Sequence, residues 1–136
     1  AGEGGGFRTP LDIAIDPRDE RVWYVAADED HCICKVVGDA ATRVGTVSVF
    51  AGDPGHQPGA ADGVGQAARL NGPTSVVFDP TADVLYVADQ GNHAIRRISR
   101  DGQVTTLAGR PDMEAVLQAR GVAGRGSNWH ALGTPP

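Results

Sequence analysis

Apolar and polar residues alternate along much of this chain in short runs bounded by turn residues. Four such runs stand at roughly 11–16, 22–27, 32–37 and 46–51. Four more follow at roughly 74–79, 84–89, 94–99 and 103–108. Each is rich in Val, Ile, Thr, Tyr and Leu, which suit a pleated surface, and each has the length of a β-strand. Asp16-Pro17 and Asp79-Pro80 predict tight turns, because Pro fixes φ and Asp can bond its own backbone. Asp101-Gly102 predicts a hairpin turn, with Gly supplying a positive φ. The third run of the second set breaks the alternation, since Ile95 and Ile98 point to opposite faces of a strand. Either a bulge intervenes there or both faces of the sheet are covered.

The two sets of runs are copies of one another. Pro10-Leu11-Asp12-Ile13-Ala14-Ile15-Asp16-Pro17 lies over Pro73-Thr74-Ser75-Val76-Val77-Phe78-Asp79-Pro80. Val22-Trp23-Tyr24-Val25-Ala26 lies over Val84-Leu85-Tyr86-Val87-Ala88, and His31 to Val36 lies over His93 to Ile98. Both copies end on Ala-Gly, at Gly52 and Gly109, and the first carries a short insertion around Gly38 to Val44. Units of four strands repeating at this period, covered on both faces, predict blades of a β-propeller.

The motif residues sharpen this. Leu70-Asn71-Gly72-Pro73, followed by Leu85-Tyr86-Val87-Ala88-Asp89 and Gly91-Asn92-His93 through Ile98, resembles an NHL repeat. The first copy departs from the pattern where Ala27 and Asp30 stand in place of Asp89 and Asn92. The resemblance implies an all-β fold of two four-stranded antiparallel blades, part of a six-bladed propeller. Blade 1 is expected over 7–53, an inter-blade linker over 54–72 and blade 2 over 73–110. Residues 111–136 are expected to form a short helix, capped by Asp112, and a link toward a next blade. Two blades leave apolar faces bare, so the chain is expected either to be part of a longer protein or to self-associate, three chains closing one ring.

Composition narrows the function. Twelve Lys plus Arg against 17 Asp plus Glu give a net charge of −5, which disfavours binding to nucleic acid or acidic membranes through the surface at large. Arg96, Arg97, Arg100 and Arg110 are the one basic cluster, and a solvated strand face is expected for them. Aromatics for base stacking are scarce, at 5%. No apolar run approaches a membrane span, and the first residues lack the basic and apolar regions of a signal peptide. Two cysteines make no disulfide framework and favour an intracellular, reducing compartment. Cys32 and Cys34 share one strand face at a spacing that suits a mutual disulfide poorly. Cys32 takes the place of Ala94 in a small buried slot, and Cys34, aligned with Arg96, is expected to be the more exposed.

Candidate binding residues cluster at one end. In an up-and-down blade the second-to-third-strand loops share an end with the start of each first strand. That end collects Asp12, Thr74 and Ser75 with His31, Asp89, Asn92 and His93, and polar loops on a rigid scaffold are where binding is expected. For Asp89 and Asn92 the competing reading is turn capping. His31 and His93 are equivalent, but two histidines with no third ligand do not make a metal site, and neither metal nor cofactor is expected. The lyase half of peptide-amidating enzymes resembles this family and carries zinc histidines after the blade-opening Pro; Leu11 and Thr74 stand there here. The expected function is therefore a non-catalytic scaffold for a protein or small ligand. An enzyme whose site lies in other blades is the alternative, and RNA binding ranks lower.

Overall fold

A computed structural model describes residues 7–109. The expected C-terminal helix, its Asp112 cap and Arg110 lie outside the described residues. Strands β1 (Pro10–Ile15), β2 (Val22–Ala27), β3 (Cys32–Gly38) and β4 (Gly45–Gly52) form one antiparallel sheet in sequential order. The second sheet contains β6 (Pro73–Asp79), β7 (Val84–Asp89), β8 (Ala94–Ser99) and β9 (Gln103–Gly109), again in sequential order. A two-residue strand β5 (Gly63–Val64), from within the expected linker, adds to its outer edge against β9. Observed and expected strand limits agree to within about a residue because Pro, Asp-Pro and Gly stop each run. The two-sheet all-β reading therefore holds. Among the described residues no helix is long and apolar enough to cross a membrane.

The broken alternation has a structural cause in both copies. The β3–β4 pairing shifts register between Ile33 and Cys34, and the β8–β9 pairing shifts between Ile95 and Arg96. The unpaired residues are Phe50 on β4 and Leu107 on β9, one extra residue in each last strand. Both faces of the first sheet are also apolar. Tyr24, Ala26, Ile33 and Ala51 join Val76, Leu85, Val87, Ile98 and Val104 in a core shared by the two sheets. Leu70, fully buried between them, is delivered by the link from β4 to β6. Tyr24 lies with its ring centroid 4.9 Å from Phe50 and 6.1 Å from Phe78, so one aromatic ties both sheets together.

The faces are related by the repeat. Val76, Leu85, Val87, Ile98 and Val104 of the second sheet turn toward the first, and their counterparts are Ile13, Trp23, Val25, Val36 and Val47. Those counterparts lie on the opposite, open face of the first sheet, around a groove of about 390 Å³. Conversely, Val77, Ile95 and Leu107 are 58%, 39% and 57% exposed, while their counterparts Ala14, Ile33 and Phe50 belong to the shared core or pack against it. Each sheet thus presents the mirror requirement of the other: one open face matches what is already covered, and the other matches what already covers.

Candidate functional site

β1 and β6 lie against each other, and each opens with a register shift that leaves Leu11 and Thr74 unpaired in the ladder. At this junction Asp12 and Ser75, aligned with one another in the two copies, are partners of one another. Ser75 Oγ donates to Asp12 Oδ2 at 3.0 Å, the Val76 amide donates to the same oxygen at 3.0 Å, and the Ile13 amide donates to Oδ1 at 2.9 Å. The Val76 amide is the main reason that the Asp12 carboxyl sits below the usual carboxylate range, with burial opposing it. Aligned sequences could not show this, because equivalent residues from successive copies meet across the interface rather than within a copy. Ser75 remains exposed and Thr74 half-buried, so the junction offers hydroxyls to a ligand. Leu11, at the other bulge, offers no ligating atom.

Asp89 and Asn92 do something different from capping a turn. Asp89 precedes the short 3₁₀ turn Gln90–Asn92 and makes no side-chain cap bond to it. Its Oδ1 accepts from the Asn71 amide at 2.8 Å, and its Oδ2 accepts from Asn92 Nδ2 at 2.7 Å and Arg96 Nη1 at 2.9 Å. Asn92 also donates to the Gly59 carbonyl at 2.7 Å. Arg96 is fully buried and donates to the carbonyls of Arg69 and Ala61 and to Asp62 Oδ1, which corrects the expectation of a solvated arginine face there. Burial pushes the Asp89 carboxyl up, and these donors pull against it. A buried charge needs such partners, and here they fasten the 59–71 link onto the second sheet. Asp89 and Asn92 are consequently engaged inside the molecule, with little surface for a ligand.

The first copy lacks this cluster as a set: Ala27, Asp30 and Cys34 stand where Asp89, Asn92 and Arg96 do. One duty survives by relocation. Asp30 Oδ2 accepts from the Arg8 amide at 3.0 Å, as Asp89 accepts from the equivalent Asn71 amide. Asp30 also faces Arg8 Nε at 3.4 Å and His56 Nδ1 at 3.6 Å. Cys34, expected to be the more exposed thiol, is 5% exposed because the arginine position it matches is itself an interior one.

His31 and His93 both have φ of +53°, in the left-handed region that histidine visits more readily than most residues. His31 Nδ1 accepts the Gly72 amide at 3.0 Å, a bond from the loop of the first sheet to the entrance of the second. His31 and His93 are half-buried, at equivalent loops, and neither joins a metal-holding group: among the described residues no cluster of three or more His, Cys, Asp or Glu is placed to hold an ion.

At the opposite end Arg100, expected on a solvated strand face, locks the sheets together. Its Nη1 and Nη2 donate to the two oxygens of Asp16 at 2.7 and 3.0 Å, and its Nε and Nη2 reach Asp83. The guanidinium lies 5.3 Å from the Phe78 ring centroid. The Arg100 hydrogen bond is the largest cause of the depressed Asp16 carboxyl. Arg100 stands over Gly38 in the alignment of the copies, so the repeat held no hint of this contact.

With this geometry in place, comparison with known proteins adds the following. No family model matches the chain. It is 36% identical over 107 residues to a human protein described as NHL repeat-containing protein 2, a match covering 68% of this chain and 15% of that protein. The Bos taurus protein of the same description is 36% identical over 97 residues, covering 61% and 13% respectively. The chain therefore spans about 15% or less of the length of these curated relatives. Among solved structures, an auxiliary nutrient binding protein from Bacteroides thetaiotaomicron superposes with a TM-score of 0.60 at 29% identity, covering 71% of this chain and 25% of that one. A protein described as a putative phosphatase from the same organism gives 0.62 at 26% identity, covering 79% and 24%. An auxiliary nutrient binding protein from Bacteroides ovatus gives 0.61 at 28% identity, covering 71% and 25%.

Proposed function

This chain belongs to the NHL-repeat family of β-propellers, and on that premise we propose that it is a non-catalytic binding scaffold whose ligand end is the junction of the two first strands. The observation that carries this reading is the Asp12–Ser75 pair spanning both sheets at their adjoining strand starts. Asp12 accepts from three donors, two of them on the second sheet, so it serves to hold the two strand starts in register. Thr74, Ser75, His31 and His93 supply the polar atoms around this rigid point, and Asp89 and Asn92 brace the loop behind it. Two of the similar solved structures are described as nutrient-binding proteins, which supports a ligand-binding role. A protein partner would use the same loops. We further propose that three chains close a six-bladed ring, bringing three such junctions around one axis.

The test is a thermal-shift screen of the chain against sugars, amino acids and short peptides. A ligand whose stabilisation disappears in Thr74→Val and in His93→Ala, each measured against the unliganded melting temperature of the same variant, supports the reading. Stabilisation that survives both substitutions places the site elsewhere. Turnover of ester, amide or phosphate probes by the purified chain overturns the non-catalytic assignment.

A further inference from the structure

The first sheet holds one pair of thiols that neither the repeat nor the proposed binding end requires. Cys32 and Cys34 stand two residues apart on β3, so their side chains emerge on one face. Their sulfurs are 3.5 Å apart, with Cys32 fully buried and Cys34 at 5% exposure. The second copy has Ala94 and Arg96 at these places, so the repeat itself does not call for sulfur. Val25, Ala27 and Val47 surround the pair, with Phe7, Val36 and Val49 packed alongside.

We infer that Cys32 and Cys34 form a two-thiolate site for a soft monovalent cation of the copper(I) class. This goes beyond the scaffold reading and is independent of it. Thiolate is the softest protein ligand and selects soft ions. Zinc in a structural site takes four ligands, and no third His, Cys, Asp or Glu joins this pair among the described residues. Two sulfurs in an apolar setting instead suit an ion content with two ligands, and rotation about χ1 of either cysteine adjusts the gap. Binding exchanges two S–H bonds for two metal–sulfur bonds and releases two protons to solvent, with no change of oxidation state. The bound unit carries a single negative charge. The nearby Asp30 carboxylate is already engaged by the Arg8 amide and guanidinium, which limits its repulsion.

The experiment is an anaerobic titration of the whole chain with copper(I) against a chromogenic copper(I) chelator. One copper per chain is expected to leave the chelator, and X-ray absorption is expected to show sulfur as the donor. Cys32→Ala, which installs the residue that Ala94 supplies in the second copy, is expected to keep the native circular dichroism and to weaken binding about 100-fold or more, as loss of a direct ligand exceeds second-shell effects. Cys34→Ser is expected to do the same; should it fail to fold, Cys32→Ala decides alone. Absence of stoichiometric uptake, or uptake by Cys32→Ala as tight as in the parent chain, overturns the proposal.

Discussion

His31 holds a left-handed backbone conformation that costs an L-residue about 1–2 kcal/mol, and it accepts the buried Gly72 amide through Nδ1. Accepting there requires that Nδ1 carry no proton. Replacing the ring by a methyl leaves a buried N–H without its acceptor, a loss of about 1–3 kcal/mol. His31→Ala is accordingly expected to lower stability by about 2 kcal/mol in urea unfolding at neutral pH, through the same bond. A change under 0.5 kcal/mol would show the Gly72 amide to be satisfied some other way. That the two histidines are equivalent was legible from the alignment of the copies. That one of them spends its nitrogen on a backbone group 41 residues away was not, because the partner lies in the other copy and carries no side-chain signature. The same blindness hid the meeting of Asp12 with Ser75 and the engagement of Asp89 and Arg96 with the link between sheets.

Between elements, the strands themselves were legible almost residue by residue, since Asp-Pro turns and terminal Ala-Gly pairs punctuate both copies. Gly52 and Gly109, at φ of +113° and +99°, end the bulged strands where an added Cβ would run into the backbone of His31 and His93. What holds one sheet to the next was less legible, and Arg100 is the clearest case. Asp16 is buried and accepts with both oxygens from that guanidinium and with Oδ1 also from the Arg18 amide at 2.9 Å, and the guanidinium is itself about one-third exposed. Arg100→Met removes the guanidinium from Asp16 and from the Phe78 ring and leaves the carboxylate the Arg18 amide, for an expected loss of about 2 kcal/mol at neutral pH after allowance for solvent screening. The folded Asp16 titrates below its ordinary value of 3.8. Its contribution is therefore fully present above that value and disappears as the pH falls through the lower folded value. Urea unfolding of parent and variant should differ at about pH 7 and converge toward about pH 2. An undiminished difference in acid would assign the loss to packing on Phe78 instead of charge.

At the scale of the whole molecule, the repeat makes the open faces predictable from the closed interface. Tyr24 enters between Phe50 and Phe78, and Asp16 accepts from Arg100 beside it. The equivalents of the entering residues are Tyr86 and Asp79, on the open side of the second sheet. On the second sheet Phe78 and Leu85 belong to the wall that meets Tyr24, and their equivalents are Ile15 and Trp23, on the open side of the first, where Arg21 and Arg43 line a cavity of about 530 Å³ together with Glu20 and Asp39. A second sheet docked head to tail would therefore bring an aromatic to an apolar pocket and a carboxylate to a rim that carries Arg43. Such an interface is heterologous, so it closes into a ring or grows without limit. The proposed three-chain ring closes it, and light scattering behind a sizing column should give one discrete species with three times the chain mass. Val77→Glu puts a charge on a residue that is 58% exposed in the single chain, so it should leave the fold intact and convert the trimer to monomer. A parent chain that runs as a folded monomer would refute closure by copies of itself and leave both faces to other blades.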